Sequence, residues 1–175
     1  MAADAFVTLL NEQIGHEYAA HQQYVAIAVY YDAETLPQLA RFFYAQALEE
    51  RDHAMMMVQY LIDADEDVVI PGVAAPEVTF EDVVAPVALA LDQGKRVSAQ
   101  INALAGVARA EGDYTSEQFM QWFIKEQVEE VATMSDLLRV VERSKNDAMD
   151  VEDFLAREHP GGGDTDPTAP RPAGA

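Results

Sequence analysis

The sequence predicts an all-α protein: a bundle of four long helices with one long crossover and a short fifth helix. Three observations carry this. Four segments, each roughly 28 residues and so about 42 Å long as helix, repeat apolar residues every three or four positions and are nearly free of Gly and Pro. Brief breaks part the first from the second and the third from the fourth. A long aperiodic stretch, 65–79, with Pro71, Gly72 and Pro76, parts the second from the third. Half of the 175 residues are apolar, enough for one domain with a core.

Taken in order, the first segment, 4–31, carries Leu10, Glu17, Tyr24 and Tyr31 at heptad spacing, with Phe6 and Ile27 alongside. Leu36-Pro37 breaks the pattern, and Pro suits the first turn of a new helix. The second segment runs from Pro37 to 64. Its face reads Leu39, Phe42, Gln46, Glu50, His53, Met57, Tyr60. The third, 80–111, presents Val87, Leu91, Gly94, Val97, Ile101, Leu104 and Ala108. Gly112-Asp113 ends it, and Thr115 or Ser116 offers a cap to the fourth, 116–143. That helix's face reads Phe123, Gln127, Glu130, Met134, Leu137, Val141. A short helix over 148–158 closes the domain, 1–158. The Gly- and Pro-rich remainder, 159–175, reads as a disordered tail.

With 31 acids against 11 bases, the net charge of −20 repels nucleic acid and anionic lipid and attracts cations. Neither nucleic acid nor a membrane is expected as a partner. No apolar run approaches the ~18 residues a bilayer demands, and the N-terminal stretch lacks a basic region and a cleavage site. A cytoplasmic protein is expected. The absence of Cys removes disulfides, thiolate nucleophiles and Cys-based metal sites.

The chemistry lies in polar residues on apolar faces. Glu17, Glu50, His53, Gln127 and Glu130 all point inward at similar heights on three helices. Glu50 and His53 are spaced i, i+3, as are Gln127 and Glu130, so each pair projects together. A lone Glu-x-x-His is common by chance, and a lone buried His is usually a satisfied core group. Joint occurrence on three long helices is not common. Unpaired buried carboxylates are costly and repel one another. A divalent cation removes both problems, and oxygen ligands with one imidazole suit Fe, Mn or Zn.

NEQIGHEYAAHQQY, QALEERDHA and QFMQWFIKEQVEE together resemble the non-haem bacterial-type ferritins, closest to those of mycobacteria and other actinobacteria, over about residues 5–158. The resemblance implies a ferritin-like bundle in a hollow homo-oligomeric shell, a 24-mer. Each bundle would hold a di-iron centre that oxidises Fe(II) with dioxygen, the product being stored as mineral. By position, Glu17, Glu50 and His53 resemble the ligands of the first iron, with Glu50 bridging. Glu130 resembles a ligand of the second, and Gln127 a residue that hydrogen-bonds the dioxygen-derived species or its water. Glu49, Glu126 and Glu129 resemble ligands of a third site shared with Glu130, and Tyr24 the tyrosine beside the centre. No haem is implied: Arg51 stands where a haem-ligating Met would follow the bridging Glu, and the fourth helix carries Gln127-x-x-Glu130, not a second Glu-x-x-His.

One position departs from the family. The third helix should supply a carboxylate to the second iron, and that place holds Gly94, which costs a helix roughly 1 kcal/mol relative to Ala. Three readings stay open: a second iron held weakly by Glu50, Glu130 and water; local loosening that lets Asp92, Gln93 or water fill in; or a cage or adaptor protein with a degenerate centre and little ferroxidase activity. Other members of the wider fold fit less well. A rubrerythrin needs a Cys-rich module, di-iron oxygenases usually carry two Glu-x-x-His pairs, and mini-ferritins place their ligands between subunits.

Overall fold

A computed structural model describes residues 2–145, 147–159 and 166–175. It contains five helices: α1 (Asp4–Ala33), α2 (Pro37–Asp63), α3 (Ala85–Ala110), α4 (Tyr114–Arg143) and α5 (Met149–Glu158). The short α1–α2 and α3–α4 connections make each pair antiparallel, and α1 packs along α2 as α3 does along α4. Pro37 occupies the first turn of α2. Between α3 and α4 the chain reverses at Gly112, whose φ of +71° suits a residue without Cβ.

Two boundaries and one helix face differ from the sequence expectation. α3 begins at Ala85, not near 80. Pro86 sits in its first turn, and the Asp82 carboxylate accepts from the amides of Val84 (2.9 Å) and Ala85 (2.9 Å), holding 81–84 in bends. The cap of α4 is Asp113, one turn before Ser116, and its side chain accepts from the Ser116 amide at 3.0 Å. On α2, Phe43 is buried and Phe42 only half-buried, because the stripe follows Leu39–Phe43–Ala47–Glu50 and leaves Gln46 and Tyr60 on its shoulders.

The crossover is tied along α1 in register. The Asn11 amide donates to the Asp67 carbonyl (3.0 Å), and its oxygen accepts from the Val69 amide (2.7 Å). Gln23 pairs with both backbone groups of Glu77 at 2.9 Å. The Tyr31 hydroxyl donates to the Val83 carbonyl at 2.7 Å. At Gly15 a Cβ would stand 2.9 Å from Pro71 Cγ, so the close approach requires glycine there. At the start of α2, the buried Glu152 of α5 accepts from the amides of Gln38 (2.8 Å) and Leu39 (3.0 Å) and so caps that helix.

Residues 160–165 of the expected disordered tail lie outside the described residues. Within 166–175, Asp166 accepts from Trp122 Nε1 (3.0 Å), and the Ala173 amide donates to the Met55 carbonyl (3.0 Å).

The core is divided into two apolar bodies. One gathers Tyr24, Ile27, Tyr31, Phe43, Val87, Leu91, Met134 and Leu137 with Val151 and Leu155 of α5. The other gathers Phe6, Leu10, Ile14, Met57, Leu61, Val97, Ile101, Met120 and Phe123. On each long helix the handover leaves a short gap. It falls between Ile14 and Tyr24 on α1 and between Ala47 and Ala54 on α2. On α3 it falls between Leu91 and Val97, and on α4 between Phe123 and Met134. The polar layer occupies this gap.

Candidate metal centre

Glu17 enters the layer from α1, Glu50 and His53 from α2, and Gln127 and Glu130 from α4. The first four are buried, Glu17 to 1% exposure, and the Glu130 side chain is 13% exposed. His53 Nδ1 stands 3.5 Å from Glu50 Oε2 and 3.7 Å from Glu130 Oε1. Ligand atoms of Glu17, Glu50 and His53 all lie within 4.8 Å of one another. A second triad, His53, Glu126 and Glu130, meets the same limit. Rings of Trp122 and Phe123 stand edge-on to the imidazole, with centroids 5.6 and 5.8 Å away, and keep that side apolar.

Such burial has electrostatic consequences. Burial, and then the adjoining Glu50 carboxylate, push Glu17 well above the ordinary carboxyl range. Burial raises Glu50 to about 7. Glu130 rises through burial and then through Glu50. Tyr24 is buried against Phe43, centroids 5.7 Å apart, and its phenol is driven upward by burial and then by Glu50. Among the described residues, Glu17 Oε2, Glu50 Oε2 and His53 Nδ1 are buried with no hydrogen-bond partner. Three residues whose ligand atoms lie within 4.8 Å of one another, each with a buried orphaned atom, fit a divalent cation, which satisfies such atoms and offsets the clustered negative charge.

The remaining expected residues separate. Glu126 is half-buried and joins the second triad. Glu49 is exposed and accepts from Gln46 Nε2 at 2.5 Å. Glu129 is exposed, with Lys125 Nζ 3.6 Å away. His16 is exposed, and His21 Nδ1 lies 2.6 Å from the Ala47 carbonyl oxygen. α3 runs as unbroken helix through Gly94, where a Cβ would meet Val131 Cγ2 at an ordinary 3.7 Å. Asp92 is exposed. Gln93 is half-buried, and its Nε2 has no acceptor among the described residues.

Two supporting residues escaped the sequence reading. Gln13, buried one turn before Glu17, donates from Nε2 to Glu17 Oε1 at 2.8 Å and leaves Oε2 free. Its i−4 position was the available signal. Ser98 Oγ lies 2.8 Å from the Gly94 carbonyl and 2.9 Å from Gln127 Oε1, while Gln127 Nε2 donates to Glu130 Oε2. Nothing in the local sequence distinguishes Ser98 from an ordinary surface serine.

A crossover-linked bundle with a buried carboxylate–imidazole layer defines the ferritin-like class. The Ferritin-like domain family model matches residues 7–144. Ferritin BfrB of Mycolicibacterium smegmatis is 56% identical over 169 residues, spanning 97% of this chain and 93% of that one. A bacterial non-heme ferritin of Staphylococcus aureus is 32% identical over 148 residues, 85% of this chain and 89% of its own. Among solved structures, an open pore ferritin from the archaeon Archaeoglobus fulgidus superposes with a TM-score of 0.85 at 25% identity, covering 90% of this chain and 97% of that one. The chain belongs to the ferritin family. No described helix is long and apolar enough to cross a membrane.

Proposed function

We propose that this protein is an iron-storage ferritin subunit. It takes Fe(II) into the layer, oxidises it with dioxygen, and passes Fe(III) to a mineral held inside a cytoplasmic 24-subunit shell, with a weakened second iron site and no haem. The observation that supports it is the grouping of Glu17, Glu50 and His53, whose ligand atoms lie within 4.8 Å of one another and each of which has a buried, unpartnered atom among the described residues. In the reaction each of two Fe(II) ions loses one electron, and dioxygen receives both. The chain's part is to bind, orient and exclude water. Glu17 and Glu50 offer oxygen ligands, Gln13 orients Glu17, and Trp122 and Phe123 fix the imidazole plane. The domain proper is 1–158, with 159–175 as an appendage. Glu49, Glu126 and Glu129, together with Glu130, offer ligands for a third iron at the edge of the layer.

Stopped-flow oxidation of Fe(II) in air tests this, with iron retained by the particle measured in parallel. The wild-type chain is expected to oxidise and retain iron, and Glu17→Gln and His53→Ala to lose the fast phase. A fast phase that survives both changes sinks the assignment.

Gly94 favours a second reading, a cage or adaptor whose centre turns over little. Gly94→Glu separates the two. On the first reading it speeds oxidation roughly tenfold, equivalent to about 1.4 kcal/mol of barrier. An unaltered trace rules out the weakened-site reading.

A further inference from the structure

We propose that the cleft between α1 and α3 is a port through which divalent cations reach the buried layer, with Glu12 and His16 as the capture pair at its mouth and Gln13 and Gln100 as its gate. This rests on reading the layer as an iron site, and it names a way in. The cleft holds about 100 Å³, and Glu12, Gln13, His16, Gln100 and Ala103 are among the residues that line it. Glu12 and His16 are exposed and one turn apart on α1, so a carboxylate and an imidazole project together. Gln13 and Glu17 repeat that spacing one residue further round the helix, and both are buried. The two pairs, side by side, lead from solvent to the layer.

Gln13 forms the floor of the cleft. Its Nε2 donates to Glu17 Oε1 at 2.8 Å and lies 3.5 Å from Gln100 Oε1. Behind it, Glu17 Oε2 is buried with no partner among the described residues. No Lys or Arg lines the cleft among the described residues, so nothing there repels a cation. Its donors are a carboxylate, an imidazole and amide oxygens, which suit divalent ions such as Fe(II). The larger groove between α3 and α4 is the poorer route, because it presents Lys95 beside the apolar Ile124, Val128 and Val131. Turning the Gln13 amide offers its oxygen to an arriving cation and releases Glu17 Oε1, so the ion passes inward from one ligand to the next.

Anaerobic stopped-flow mixing of the assembled full chain with Co(II), followed by the visible absorption of the bound ion, tests this. Two variants alter the cleft without touching the layer: Ala103→Phe fills it, and Glu12→Gln with His16→Gln removes the capture pair. Each is expected to slow binding about tenfold, as loss of a steered path requires, and to leave the amount bound at saturation unchanged. Glu34→Gln, which removes one charge just past the far end of α1, should bind at the wild-type rate. A wild-type rate in either cleft variant overturns the proposal. So does equal slowing by Glu34→Gln, which makes overall charge the cause. A signal that keeps its full amplitude in both Glu17→Gln and His53→Ala overturns the iron-site reading itself.

Discussion

At Glu50 a carboxyl is held where water is excluded, and burial brings it to about 7 against an ordinary 4.5. Below 4.5 the group is protonated whether the chain is folded or not, and the layer carries no penalty from it. As pH rises through 4.5 to 7, the unfolded chain releases a proton that the folded chain keeps, so stability falls across that window. The metal-free protein is therefore expected to be less stable at pH 8 than at pH 5.5 by on the order of 2–3 kcal/mol, read as a lower melting temperature at pH 8. Thermal scans of wild type beside Glu50→Gln isolate this from the general acidity, because the variant should show a shallower slope. Saturating Zn(II) should flatten the wild-type slope as well. Gln13 acts on the same group of atoms indirectly. Gln13→Met removes the donor to Glu17 Oε1 and is expected to weaken Zn(II) binding roughly tenfold in calorimetry while leaving the helices intact.

Among the elements, α2 depends on α5 for its start. Glu152 is the acceptor for two of the first amides of α2, so Glu152→Ala is expected to cost about 1 kcal/mol. The loss should appear as a lower melting point together with faster amide exchange at Gln38 and Leu39. The long helices and the height of the polar layer were legible in the sequence because heptad spacing carries Glu17, Glu50 and Glu130 inside otherwise apolar stripes. What period alone could not supply was register to one residue, hence the choice of Phe42 over Phe43. It also could not show where Asp82 and Pro86 would delay α3, nor that Asp113 would outcompete Ser116 as cap. The ties from Asn11 and Gln23 to the crossover were invisible for another reason. A polar residue on a helix looks the same whether it meets water or a backbone folded back from 56 or 54 residues away.

For the whole molecule, charge governs traffic. A formal −20 per chain, multiplied over many copies in a shell, draws cations inward over distances set by the Debye length, about 10 Å at 0.1 M salt. Initial Fe(II) uptake is expected to slow several-fold between 20 and 500 mM salt, roughly as screening requires, measured as the dependence of the fast phase on ionic strength. One detail of the centre then acquires a practical meaning. The chain has a single tryptophan, Trp122, and its indole stands edge-on to His53 while its N–H is spoken for by Asp166. All indole emission from the particle therefore originates beside the imidazole. An open-shell ion arriving there should darken it and a closed-shell ion should not, which gives the protein a label-free optical gauge of its own loading.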